Sequence, residues 1–183
     1  MSLSKEEARE ILHSMTETES LLLHAETVAC VMEAYARELE EDTKTWYATG
    51  LLHDADYEKY PDKHPDIIVA KLRENNMEDM AYAISCHYTK WGVPAQSVLD
   101  KALLACDELT GFIIACARVR PDGLRGLKAK SVRKKLKQKS FAAKVDRDEI
   151  NTGVSLLGRE LGEHIDFIVG VLQKCEMVPA ELR

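Results

Sequence analysis

Apolar positions recur at intervals of three and four along most of the chain, the spacing of one face of an α-helix. Nowhere do they alternate with period two over the length of a strand. Ser4 followed by Glu7 is a capping box that opens a first helix to about Met15. A second helix is predicted from about Glu19 to Glu41, with Leu22, Ala25, Val28, Ala29, Met32, Tyr35, Ala36 and Leu39 along its apolar side. Asp42 offers an N-cap oxygen to a third, Thr43 to about Asp56. Tyr57 to His64 reads as a polar loop, and Pro65 suits the first turn of a fourth helix that reaches Glu74. A fifth covers about Glu78 to Tyr88. After Gly92 and Pro94, a long sixth runs from near Gln96 to about Val119, stopped by Pro121 and Gly123. Ser131 to Gln138 reads as helical. One or two last helices lie between Asp146 and Cys175, broken near Gly158 to Gly162.

The expectation is therefore an all-α, single-domain helical bundle. Residues 1–120 would form its core, and residues 121–183 a basic segment and C-terminal helices packed on the same domain. A length of 183 residues suits one core. Only 6% of residues are aromatic, so Leu, Ile, Val and Ala must fill it. No window approaches the roughly 18 to 20 apolar residues of a membrane span, and the start, MSLSKEEARE, has no apolar signal region. A cytoplasmic protein without a membrane partner is expected. The five cysteines, Cys30, Cys86, Cys106, Cys116 and Cys175, include no CxxC pair and read as buried reduced thiols.

Net charge is −6, but it is unevenly spread. Between Arg118 and Arg147 lie twelve Lys or Arg against two acids, Asp122 and Asp146, so the remainder of the chain is strongly acidic. The block has two readings: a grip on a polyanionic substrate, or a solvated face. Lys134, Lys135, Lys137 and Lys139 do not share one helical face, and Phe141 is the sole aromatic there, so nucleic acid is not the expected partner.

Asp107 is the sharpest anomaly. It interrupts the apolar run Ala102-Leu103-Leu104-Ala105-Cys106, and a carboxylate in such a place needs a partner to offset its desolvation. His53-Asp54 likewise follows Leu51-Leu52. His24 sits early in the second helix, His64 just before the fourth and His87 late in the fifth. Imidazole nitrogens and carboxylate oxygens are common ligands of divalent metals. His13 and His164 have no such pattern and read as surface or helix-packing residues.

The arrangement resembles the HD superfamily of phosphohydrolases. His24 in LLLHAETVA, His53-Asp54 in GLLHDADYEKYP and Asp107 in ALLACDELTGF carry the resemblance, and His64 in DKHPDIIVAKL and His87 in AISCHYTKWG match its two-metal branch. Order and context look like the small bacterial branch that includes dinucleoside tetraphosphate hydrolases, over roughly residues 20 to 115. Two positions after the doublet, where many relatives carry a small residue, this chain has Asp56.

The resemblance implies an HD-type bundle holding two divalent ions (Mn, Fe, Co, Ni, Zn or Mg) about 3.5 to 4 Å apart, bridged by Asp54. His24, His53 and Asp107 would serve one ion, and His64 and His87 the other. Asp54 and Asp107 are then the catalytic carboxylates, and a metal-activated water attacks a phosphate ester or anhydride, expected to be that of a nucleotide. Lys63, Tyr57, Arg133 and Lys134 are candidate substrate contacts. Lys59 and Tyr60 could line the mouth, and Asp56 or Glu58 could serve the leaving group as acid or base. Two alternatives use the same residues: a di-iron oxygenase of HD type, and a nucleotide-binding regulatory module without turnover. Oligomeric state is not legible.

Overall fold

The computed structural model describes residues 3–183; the first two residues of the expected 1–120 core lie outside it. Among the described residues it contains nine α-helices and no strand. They are α1 (Lys5–His13), α2 (Glu19–Glu38), α3 (Thr43–Leu52), α4 (Asp66–Glu74), α5 (Glu78–His87), α6 (Val98–Arg118), α7 (Ala129–Leu136), α8 (Arg147–Leu157) and α9 (Leu161–Leu172). Short 3₁₀ turns occupy Pro61–Lys63 and Thr89–Trp91. None of these helices is long and apolar enough to cross a membrane.

Local chemistry sets several of the boundaries. The Ser4 hydroxyl accepts from the Glu7 amide at 3.2 Å, while the Glu7 carboxylate accepts from the Ser4 amide at 2.8 Å. Asp42 caps α3 by accepting from Lys44 N–H. A second capping box, Ser97 with Asp100, starts α6.

α2 and α6 form the spine, with α3 on α2, α5 on α6 and α8 along α6. Two crossings bring backbones close enough to require glycine. At Gly50 a Cβ would lie 2.9 Å from Met32 Cγ and 3.0 Å from Ala29 Cα. At Gly153 it would collide with the Leu104 carbonyl, so α8 rests directly on the backbone of α6.

Two expectations are corrected. α3 ends at Leu52, not near Asp56, and His53 is its C-cap. The following residues turn because the Asp56 carboxylate is drawn to the start of α4, where it accepts from Ile67 and Ile68 N–H, both at 3.0 Å. Nor are all five cysteines reduced. Cys30 of α2 and Cys175, beyond α9, form a disulfide, while Cys86, Cys106 and Cys116 are buried free thiols. Packing of α9 on α2 brings together two residues 145 apart in sequence.

The basic segment is tied down by one of its own cations. Both terminal nitrogens of Arg147 donate to backbone carbonyls, those of Gln138, Phe141, Ala142 and Val145, and its guanidinium lies 5.3 Å from the Phe112 ring centroid. Arg147 therefore organises the loop between α7 and α8 and is not a free surface charge.

His164 packs inside, as a helix-packing residue. Its Nε2–H donates to the Ala105 carbonyl at 2.8 Å, and Nδ1 accepts from the Tyr35 hydroxyl. Burial pushes its pKa below the ordinary value of 6.5. The unfolded chain takes up this proton below about pH 6.5 and the folded chain resists it, so stability present above that pH is lost as pH falls through the folded value. Urea midpoints at pH 7.5 and 5.5 should differ more for the wild type than for His164→Asn.

Candidate metal centre

Six side chains from five parts of the chain meet at one place. His24 comes from the second turn of α2, His53 and Asp54 from the end of α3, His64 from the residue after the first 3₁₀ turn, His87 from the last position of α5, and Asp107 from the middle of α6. The sharp stop of α3 puts both members of the doublet on the same opening: His53 turns its Nδ1–H back to the Gly50 carbonyl at 2.8 Å, and Asp54 follows in the turn.

The ligand atoms fall into two halves joined by one carboxylate. In the first half, His24 Nε2 lies 3.2 Å from His53 Nε2 and 3.0 Å from Asp107 Oδ1, and His53 Nε2 lies 3.2 Å from the same oxygen. Asp54 Oδ2 faces this half, 3.5 Å from His53 Nε2 and 4.0 Å from His24 Nε2. Its other oxygen, Oδ1, faces the second half, 3.3 Å from both His64 Nε2 and His87 Nε2.

The back side of each ring fixes which nitrogen faces the centre. His87 Nδ1–H donates to the Ile84 carbonyl at 2.6 Å, and His64 Nδ1–H donates to Asp56 Oδ1 at 2.7 Å. With His53 on Gly50, three of the four imidazoles thus present Nε2 as a lone pair, an assignment that follows from the hydrogen-bond network. Several nitrogen lone pairs and two carboxylates aimed at one volume repel one another unless something positive lies between them. That donor set fits divalent cations. His24, His53 and Asp107 form one group able to hold an ion, and His53, Asp54 and His87 another.

The electrostatics carry the same demand. Burial disfavours a charged His53, but the Asp107 and Asp54 carboxylates outweigh it and push its pKa up to about 10, so a proton and a metal cation compete for the Nε2 lone pair. Burial also works against charge on Asp54 and Asp107, yet the neighbouring imidazoles, His53 foremost, hold both well below the usual carboxylate range. Beside them, burial and then the Asp107 charge push the Glu108 carboxyl up to about 7.

The site is open on one side. Asp54 keeps 29% of its side-chain surface and His24 21%, while His53 is fully covered. Two cavities lie elsewhere. One of about 630 Å³ runs past Glu41, Asp42, Glu78 and Asp79, and one of about 680 Å³ lies beside Cys30 and Cys175. Neither touches the six residues, and the convergence of donors outweighs volume as the sign of a site.

The other sequence candidates divide. Tyr57 stands at the mouth, half-exposed, its ring centroid 5.5 Å from that of His64. Lys63 is exposed and adjoins His64. Arg133 and Lys134 lie on the exposed side of α7, where Arg133 pairs with Glu160 at 3.4 Å; no hydrogen bond or ion pair joins either to the six residues among those described.

Four loop residues read as mouth or acid–base groups do other work. Lys59 donates to the Ser14 carbonyl at 3.2 Å, and Tyr60 packs on the core. Glu58 accepts from Glu17 and Thr18 N–H, bracing the entry to α2. Asp56 is fully buried and orients His64 from behind, so its departure from the small residue of many relatives is functional support, not acid–base chemistry. The sequence carried one sign of this, an acid next to apolar Ala55. Tyr88, which also meets His64, and Trp91 beside Tyr88 were missed because they follow the end of a helix in a broken stretch.

A protein-family model described as HD domain matches residues 21–111, a span that includes all six residues. Comparison with curated proteins and with solved structures returned no match.

Proposed function

From the premise that this chain belongs to the HD-domain superfamily, we propose that it is a metal-dependent phosphohydrolase that cleaves a phosphate ester or anhydride of a nucleotide with water. The observation that carries the reading is Asp54, whose two oxygens face two separate sets of imidazoles. Divalent cations held there would supply Lewis acidity toward a phosphoryl oxygen and lower the pKa of water.

The chain's own residues supply the rest. Asp54 joins the two halves, Asp107 completes one, and Asp56 keeps the His64 Nε2 lone pair pointed inward. Tyr57, whose ring meets His64, and exposed Lys63, next to His64 in sequence, would be the substrate contacts nearest the centre. No thiol competes as nucleophile: Cys86 and Cys106 are buried, and burial pushes the Cys86 thiol up to about 12.

The test is a panel of nucleotides and sugar phosphates, assayed for phosphate release with added manganese or cobalt. Release from at least one nucleotide, abolished by a chelator, is expected. No release across the panel, with bound iron whose optical spectrum responds to oxygen, would overturn the reading in favour of the oxygenase. Tight nucleotide binding without release would favour the regulatory module.

Substrate contact by Arg133 and Lys134 is part of the proposal. Their joint replacement by alanine should raise KM about fivefold for substrates with several phosphates, the scale of one or two solvent-exposed ionic contacts, with little change in kcat. Unchanged KM would leave them as a solvated face.

A further inference from the structure

Six large apolar side chains stand exposed among the described residues; of the two aromatic ones, Tyr57 meets His64, and Trp91 meets Tyr88, whose ring in turn meets His64. Tyr57 and Tyr88 each set their rings nearly perpendicular to that of His64, with centroids 5.5 and 5.3 Å away. Trp91 continues the row, 6.1 Å from Tyr88, and the Lys90 amine lies 5.4 Å from the Tyr88 ring centroid.

The segment that presents them is pinned. Tyr88 and the 3₁₀ turn Thr89–Trp91 follow directly on His87, and Trp91 N–H closes on the Tyr88 carbonyl at 2.9 Å. Gly92, at a left-handed φ of 66°, turns the chain away. On the far side the Thr89 hydroxyl donates to Glu149 of α8. Exposed aromatic surface is left in water beside a polar opening, on a turn anchored at both ends, at a cost in solvation that folding alone does not require.

We infer that Tyr88 and Trp91, with Tyr57 also set against His64, form a stacking subsite for the nucleobase of the substrate. This rests on the phosphohydrolase reading for the phosphate end and adds the ring end. Every base offers a π-face to aromatic side chains, and Lys90 gives the platform positive charge toward an anionic substrate. A ring-free phosphate would meet the metal ligands but gain nothing from this row.

The chain has two tryptophans, and Trp46 is buried, so a change in emission on adding nucleotide reports Trp91. Titration of the full chain with AMP, ADP and ATP in magnesium should quench that emission for at least one of them. Ribose 5-phosphate should not, and Trp91→Phe should lose the signal. In steady-state assays with manganese, Trp91→Leu should raise KM for the nucleotide about tenfold with kcat within twofold, and lower its kcat/KM preference over ribose 5-phosphate by the same factor. Tyr88→Leu should act in the same direction. Quenching by none of the three nucleotides, or equal losses on nucleotide and ribose phosphate, would overturn the subsite. Quenching without phosphate release would leave the subsite standing and remove the hydrolase reading. Release without quenching or change in preference would do the reverse.

Discussion

Asp54→Ala is expected to empty both halves of the centre at once and to lower turnover by at least about a thousandfold. Losing a partner behind a metal ligand typically costs about 10- to 100-fold in affinity or activity, and Asp54 is not behind a ligand. One of its oxygens lies 3.5 Å from His53 Nε2, and the other 3.3 Å from both His64 and His87. Among the described residues His53 also belongs to both possible ion groups, but it offers a single nitrogen, its Nδ1 being turned to the Gly50 carbonyl, so it cannot replace a carboxylate with one oxygen toward each half. Bound metal, measured after dialysis, should fall with activity, while the helical circular dichroism stays that of the wild type. A variant that kept more than a tenth of its metal or its turnover would show that Asp54 does not join the two halves.

Asp56→Ala should be the most damaging change that touches no metal. The buried carboxylate serves three donors: the Nδ1–H of His64 and the backbone N–H groups of Ile67 and Ile68. Leaving them without an acceptor should cost about 3 kcal/mol, since each unsatisfied buried donor costs about 1 kcal/mol or more. His64 would also turn freely, so metal affinity should fall about 10- to 100-fold. Asp56→Asn separates the two roles. An amide oxygen can still receive the α4 amides, but its NH₂ then faces His64 Nδ1 and forces the proton onto Nε2, the nitrogen that must face inward. Urea unfolding should therefore recover most of the lost stability in the Asn variant, while metal titration stays weak. Equal recovery of both would reduce Asp56 to a helix cap.

The parts of this molecule that were legible in the sequence are those that depend on periodicity or on an anomaly within it. The apolar stripes of α2 and α6 place those helices within about three residues of their ends. Asp107 stood out because it broke such a stripe, and the six residues read from their order converge. What was not legible depends on partners far along the chain. Glu58 and Lys59 look like solvated loop residues until Thr18 and Ser14, about forty residues earlier, come alongside. The end of α3 was overrun because Ala55 suits a helix and no glycine or proline stops the chain between Leu51 and Tyr60; the amides of α4 draw Asp56 out of it. Arg147 counted as one more surface cation, although it faces inward onto four carbonyls. The Cys30–Cys175 bond has no spacing to betray it.

The crossing at Gly153 bears on how the chain could be shortened. α8 lies on the main chain of Leu104 and Ala105, and the Ala105 carbonyl, two residues ahead of Asp107, is held by His164 of α9. The stretch of α6 that carries Asp107 is thus braced from beyond residue 147, well outside the span that the HD-domain family model matches. Excising residues 21–111 would yield a fragment with all six converging side chains and an unsupported Asp107. The matched span marks the family, and a fragment that keeps Asp107 braced is expected to extend through α9.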